Sequence, residues 1–113
     1  MAGVYSLYMS FHNIRHSGTV RSIIFQQNGE WFGAALEFNI VETGCSPQEV
    51  DMLLDEAIAG YIEAAQKNRL SSAVLNQTVE PEYEALWNSA NSETGEERKK
   101  VYKASQYSVP ALA

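Results

Sequence analysis

A single cysteine, Cys45, stands among 113 residues, so no intrachain disulfide can form. The chain fits a reducing compartment and must fold without covalent staples. Long apolar runs are missing as well. No stretch approaches the roughly 18 consecutive apolar residues of a membrane span, so no membrane contact is expected. Residues 1–11 carry neither a charge nor an unbroken apolar run, which does not suit a secretory signal, and the cytoplasm is the expected location. Basic residues are few: eight Lys and Arg against fourteen Asp and Glu give a formal net charge of −6. Nucleic-acid binding wants a basic face that displaces counterions, so no direct nucleic-acid contact is expected. There are only two histidines, His12 and His16. Their spacing would place both on one helix face, but the residues between them do not favour a helix and no third ligand is near. They read as turn histidines, and no metal is expected.

What remains is ordinary globular protein: 45% apolar and 19% charged residues. At this length one domain is expected, burying about two-thirds of its unfolded surface. The charges are unevenly placed. Seven acidic residues (Glu37, Glu42, Glu49, Asp51, Asp55, Glu56, Glu63) fall between Glu37 and Gln66 with no Lys or Arg among them. Arg98, Lys99, Lys100 and Lys103 cluster near the C-terminus. Such polarity suits a basic partner or self-association of opposite faces, and equally a pair of solvated faces.

Local signals fix several elements. Residues 4–11 read as a strand or an ordered arm, and 1–19 as an N-terminal unit ahead of the core. Val20–Gln27 is rich in β-branched and aromatic residues and runs into Asn28-Gly29, a strong type I′ hairpin signal. Glu30–Glu37 is the return strand, with Phe32, Ala34 and Leu36 alternating against Trp31, Gly33 and Ala35. A third strand is expected over Phe38–Glu42, stopping at Thr43-Gly44. Ser46, Pro47 and Glu49 then form a capping box with proline at its preferred place. Behind them Val50, Leu53, Leu54, Ala57, Ile58, Tyr61, Ile62 and Ala65 fall at helical spacing, predicting a helix over 47–66. Phe32, Leu36, Leu54 and Ile58 are expected to be buried together. A second, short helix is expected from Pro81 to about Ala90, and Val101–Val109 reads as a last strand or an extended tail. The fold class is therefore α+β: an antiparallel three- to four-stranded meander with one long amphipathic helix on one face, plus a short C-terminal helix. The core spans 20–67 and a C-terminal extension spans 68–113.

No constellation announces catalysis. Glu30 and Glu37 bracket the second strand and Glu42 ends the third; Glu30 and Glu37 are seven apart, so on a regular strand they point to opposite faces and cannot share one metal site unless a bulge intervenes. Cys45 precedes a helix N-terminus, which favours thiolate, but no general base adjoins it and it reads as an inert turn residue. Gly29, Gly33 and Gly44 form no phosphate cradle. Of the aromatic residues Trp31, Phe38, Tyr83 and Trp87, Trp31 is the candidate contact residue. Its face of the strand also holds Gly33 and Ala35, which leave room for another chain or element.

The segments Gly29-Glu30-Trp31-Phe32-Gly33-Ala34, Leu36-Glu37-Phe38-Asn39-Ile40-Val41, Gly44-Cys45-Ser46-Pro47-Gln48-Glu49-Val50, Glu56-Ala57-Ile58 and Gly60-Tyr61-Ile62-Glu63 follow one another in an order that resembles the HicB-like antitoxin family. The resemblance covers about 47 residues, Arg21 to Lys67, and departs at Val50, where the family usually has alanine. Leu75-Asn76-Gln77, Pro81-Glu82-Tyr83-Glu84 and Leu86-Trp87 are similar to a C-terminal extension of some such proteins. The resemblance implies a partial ribonuclease-H-like sheet, assembly as dimers or tetramers, and a toxin-neutralising role that covers a small basic RNA-cleaving toxin. No DNA-binding module is expected after residue 67. The expected function is thus non-catalytic protein binding, without cofactor, through Trp31 and the acidic helix residues Asp51, Asp55, Glu56 and Glu63. A homo-oligomeric regulator or scaffold without a toxin is the alternative, and a divergent metal-dependent nuclease the remote one.

Overall fold

The computed structural model describes Asn13, residues 18–90 and residues 101–109. The expected segment 4–11, His12 and His16, the basic run at 98–100 and the polar stretch 91–95 lie outside them. The elements are β1 (Thr19–Gln27), β2 (Glu30–Ala35), β3 (Ile40–Gly44), the helix α1 (Pro47–Lys67), a short 3-10 turn (Ser72–Leu75), the helix α2 (Pro81–Ala90) and β4 (Val101–Ser108). All pairings are antiparallel and the sheet order is β3-β2-β1-β4. The fold is α+β, and residues on both sides of position 67 share one sheet.

The β1–β2 hairpin turns at Asn28 and Gly29, whose φ values of 54° and 83° are those a type I′ turn demands. The next connection differs from expectation. β2 ends at Ala35, and Leu36–Asn39 is a turn closed by the Asn39 N–H donating to the Leu36 carbonyl at 3.2 Å. Asn39 takes a left-handed φ of 56°, which asparagine tolerates better than most residues. The third strand therefore starts at Ile40, not at Phe38, and Glu37 belongs to a turn. Phe38 points into the core at 1% exposure, stacked on Tyr61 at 4.7 Å. Gln77 holds this turn by donating its backbone N–H to the Glu37 carbonyl and its side chain to the Phe38 carbonyl and the Tyr61 hydroxyl.

Each face of the sheet carries its own core. On one, Val20, Ala35 and Phe38 pack with Leu54, Ile58, Ile62 and Ala65 of α1, with Leu75 and with Val109. On the other, Ile23, Phe25, Ala34 and Leu36 are covered by Phe32, Val79, Tyr83, Leu86 and Trp87. The expected cluster of Phe32, Leu36, Leu54 and Ile58 is thus divided between two faces. Strand periodicity puts Phe32 and Leu36 opposite Gly33 and Ala35, and α1 chose the small-residue side. The reason is steric: a Cβ on Gly33 would lie 2.6 Å from Val50 Cγ1 and 3.2 Å from Leu54 Cδ2. At the other end Asn13 is fully buried and binds the Leu75 carbonyl, the Thr19 N–H and Asn76, whose side chain donates back to the Asn13 carbonyl.

Candidate functional site

The acidic flank of α1 is positioned by its cap. Ser46 Oγ accepts from the Glu49 N–H at 3.1 Å, and Glu49 Oε1 reaches back to the Cys45 N–H at 3.1 Å. With the first turn fixed, the buried ridge Val50, Leu54, Ile58 and Ile62 faces the sheet. A helix advances about 100° per residue. Asp51 and Asp55 therefore lie about 100° from Val50 and Leu54, on the flank toward β4. Glu56 and Glu63 turn to solvent and are exposed. The acidic residues thus occupy two adjoining stripes, not one row.

Nor is the flank without a cation. Lys103 on β4 donates from Nζ to Asp51 Oδ2 at 2.8 Å. That hydrogen bond, against a smaller cost of burial, lifts the lysine pKa above its ordinary value. Asp55 is pushed upward, first by burial and then by the charge of Asp51, with Lys103 pulling the other way. One lysine therefore serves two aspartates, and the pair keeps an unspent negative charge.

Trp31 stands at the N-terminal end of the same seam. Its ring meets Tyr102 edge-on at a centroid distance of 5.6 Å, and Gln48 of α1 reaches the Tyr102 hydroxyl at 3.4 Å. The strand face that seemed open beside Trp31 is covered, because α1 itself occupies the space left by Gly33 and Ala35. What stays exposed is Tyr102 (54%) and Met52 (55%). The structure therefore brings Trp31, Asp51 and Asp55 to one seam between α1 and β4, and leaves Glu56 and Glu63 on the adjoining helix face. Farther along the seam a cleft of about 300 Å³ opens between Ala59, Ile62, Glu63 and Gln66 of α1 and Tyr107 and Ser108 of β4.

The strand carboxylates do not converge. Glu37 is 6% exposed and accepts from the Arg21 backbone N–H at 2.8 Å and from Arg21 Nε at 2.6 Å. Arg21 also reaches Glu84 of α2 at 2.7 Å and lies 5.5 Å from the Trp87 ring centre. Burial opposes its charge, but the hydrogen bonds to Glu37 and Glu84 outweigh this and raise its pKa further. Glu37 is thus a partner of β1 and α2 through Arg21. Among the described residues no three His, Cys, Asp or Glu side chains are grouped so as to hold a metal. Also among them, no helix is long and apolar enough to cross a membrane.

Sequence reasoning missed Arg21 and Lys103. Arg21 could have been found: it is the last basic residue before Lys67, and it interrupts an apolar strand. Lys103 could not, because its role depends on how β4 pairs. Compared with known proteins, the chain matches no family model, no curated protein and no solved structure.

Proposed function

We propose that this chain is a non-catalytic protein-binding domain of the HicB-like antitoxin kind, which engages a small basic RNA-cleaving toxin through the acidic side of α1. The observation that carries the reading is the charge arrangement at the seam. Asp51 and Asp55 share one cation, Lys103. Glu56 and Glu63 stand on the adjoining exposed face with only Lys67 at the helix end on the same stripe, and the exposed side chains of Met52 and Tyr102 lie beside them. An interface of this kind pairs a few apolar anchors with a charged rim that speeds encounter with a partner of opposite sign. The family part of the reading rests on the ordered segments from Arg21 to Lys67, and the cytoplasm is the compartment that suits it. A nuclease reading is disfavoured because Glu37 is committed to Arg21.

The test is capture from the native host on immobilised protein, followed by mass spectrometry. A small basic protein retained by the wild type and lost by Asp55→Lys/Glu63→Lys supports the reading. Equal retention by both proteins, or capture of acidic proteins alone, overturns it. Asp51 is left untouched, because a lysine there would confront Lys103.

A further inference from the structure

The flank of α1 that faces β4 changes character along its length. Toward the N-terminal end Asp51 and Asp55 approach Lys103, and an ion pair joins helix to strand. Positions 55, 59, 62 and 66 continue that flank at i+4, i+3 and i+4 spacing. At the third of these turns Ala59 offers only a methyl group where the two before it carry carboxylates. Helix and strand part there, and the cleft of about 300 Å³ opens. Lys103 and Tyr107 are four apart on β4 and so point to one face of the sheet. Tyr107 therefore stands across the cleft where Lys103 stands across the ion pair.

Each wall of the cleft has its own chemistry. Ala59 and Ile62 make an apolar side, and Ile62 is fixed in the core at 3% exposure. The half-buried Tyr107 packs against the same core and makes an aromatic side. Glu63 brings a carboxylate to the exposed rim. Lys67 follows one turn later, but among the described residues no ion pair joins it to Glu63. Such an exposed i, i+4 pair is weak and yields to a better-placed cation. The volume lies at the bottom of the roughly 300–1,000 Å³ range of small-molecule pockets, so it suits one side chain better than a cofactor. An occupant must be slender, apolar along its length and cationic at its tip. Arginine meets these terms better than lysine. Its guanidinium is less strongly hydrated, stacks flat on an aromatic ring and offers paired N–H groups to a carboxylate.

We propose that this cleft receives the side chain of a single arginine presented by the basic partner. The methylene stem lies along Ala59 and Ile62, the guanidinium stacks on Tyr107, and its charge meets Glu63. The acidic stripes of α1 attract any cationic surface alike. A cleft that admits one guanidinium distinguishes arginine from lysine and fixes where the partner docks. Steering by charge sets how fast the partner arrives, and the seated arginine sets how slowly it leaves. That the arginine belongs to a protein rests on the basic-partner reading above; the preference of the cleft for a guanidinium does not.

Two measurements test this on the intact chain. The first follows NMR resonances as N-acetyl-arginine N-methylamide is added, with the citrulline and lysine analogues as controls. Citrulline keeps the shape of arginine and removes its charge. Arginine should give saturable shifts at Ala59, Ile62 and Tyr107 in the millimolar range, with lysine and citrulline at least about tenfold weaker. Ala59→Leu fills the cleft from an exposed helix position, leaves every charge in place and should abolish the arginine shifts. Glu63→Gln, on the exposed rim, should weaken arginine about tenfold and leave the fold intact. The second measurement compares Ala59→Leu with wild type on the captured partner. Dissociation should be at least about tenfold faster, while the association rate and its salt dependence stay those of the wild type. Equal shifts from arginine and citrulline, arginine binding that survives Ala59→Leu, or unchanged dissociation each overturn the proposal. Capture of a basic partner by a protein whose cleft ignores arginine overturns this proposal alone and leaves the binding function standing. Saturable arginine binding with no basic partner captured overturns the partner's arginine as the occupant, together with the reading it rests on.

Discussion

Gly33 is the residue on which the packing of α1 turns. Its missing side chain lets Val50 and Leu54 rest on the backbone of β2, and a Cβ there would meet Val50 at 2.6 Å. Gly33→Ala should therefore cost about 1–3 kcal/mol through overpacking, read as a fall in the denaturation midpoint. Leu54→Ala, the complementary truncation, should cost about 2–5 kcal/mol because Leu54 is 1% exposed. A change below about 0.5 kcal/mol in either would mean that the ridge of α1 faces elsewhere. Arg21 and Glu37 make a coupled pair. Arg21→Met strands a carboxylate that is 6% exposed, at a cost of about 2–3 kcal/mol since the arginine is only partly buried. Adding Glu37→Gln removes the stranded charge while keeping an acceptor for the Arg21 N–H. The double variant should recover at least about 1 kcal/mol of that loss in a double-mutant cycle. Asp55 behaves in the opposite sense. Its raised pKa means that the folded state favours the protonated form, so its stabilising contribution is present at low pH and lost as pH rises through the folded pKa. Asp55→Asn should be slightly more stable than the wild type at neutral pH, within about 0.5 kcal/mol for so exposed a site. The difference should close below the ordinary carboxylate range, and a gap that widens there would contradict the shift.

At the scale of elements, what was legible followed from local rules. Asn28-Gly29 and the run Ser46-Pro47 with Glu49 fix their own backbone geometry within a few residues, and both formed where expected. The helix α1 ends at Lys67, one residue past the expected end. The boundary between β2 and β3 was not legible, because it depends on partners distant in sequence. Glu37 is drawn out of the strand by Arg21, sixteen positions earlier, and Gln77 ties the turn from far downstream. The face chosen by α1 was equally hidden: alternation separates Phe32 from Gly33 but does not say which side a helix prefers. The acidic residues were legible as a set, yet their partner Lys103 lay on a strand whose weak alternation left its pairing open. Gly60 supplies an element-scale prediction. Its hypothetical Cβ would meet nothing within 4 Å, so nothing in the fold requires a glycine in α1. Gly60→Ala should stabilise the protein by about 0.5–1 kcal/mol in thermal or chemical unfolding. Destabilisation would show that another chain packs against that turn.

At the scale of the molecule, the two described helices cover opposite faces of the described four-stranded sheet, and they do so unequally. α1 contributes Val50, Leu54, Ile58, Ile62 and Ala65 to a closed core, whereas no residue of α2 is fully buried. α2 is held by half-buried aromatic residues and by the Arg21–Glu84 ion pair. Charge is divided in the same way: the acidic stripes of α1 lie beside β4, while the buried Glu37 and the partly exposed Glu84 are paired with Arg21. An acidic side with a few exposed apolar side chains beside it is what the proposed binding function requires, and steering by that charge is its central claim. The most direct test is the association rate of the captured basic partner as a function of salt, by stopped flow, for wild type and Asp55→Lys/Glu63→Lys. Steering predicts a wild-type rate that falls steeply with salt, and a variant about tenfold slower at low salt with a flattened dependence. Equal rates for the two proteins at every salt concentration would contradict it.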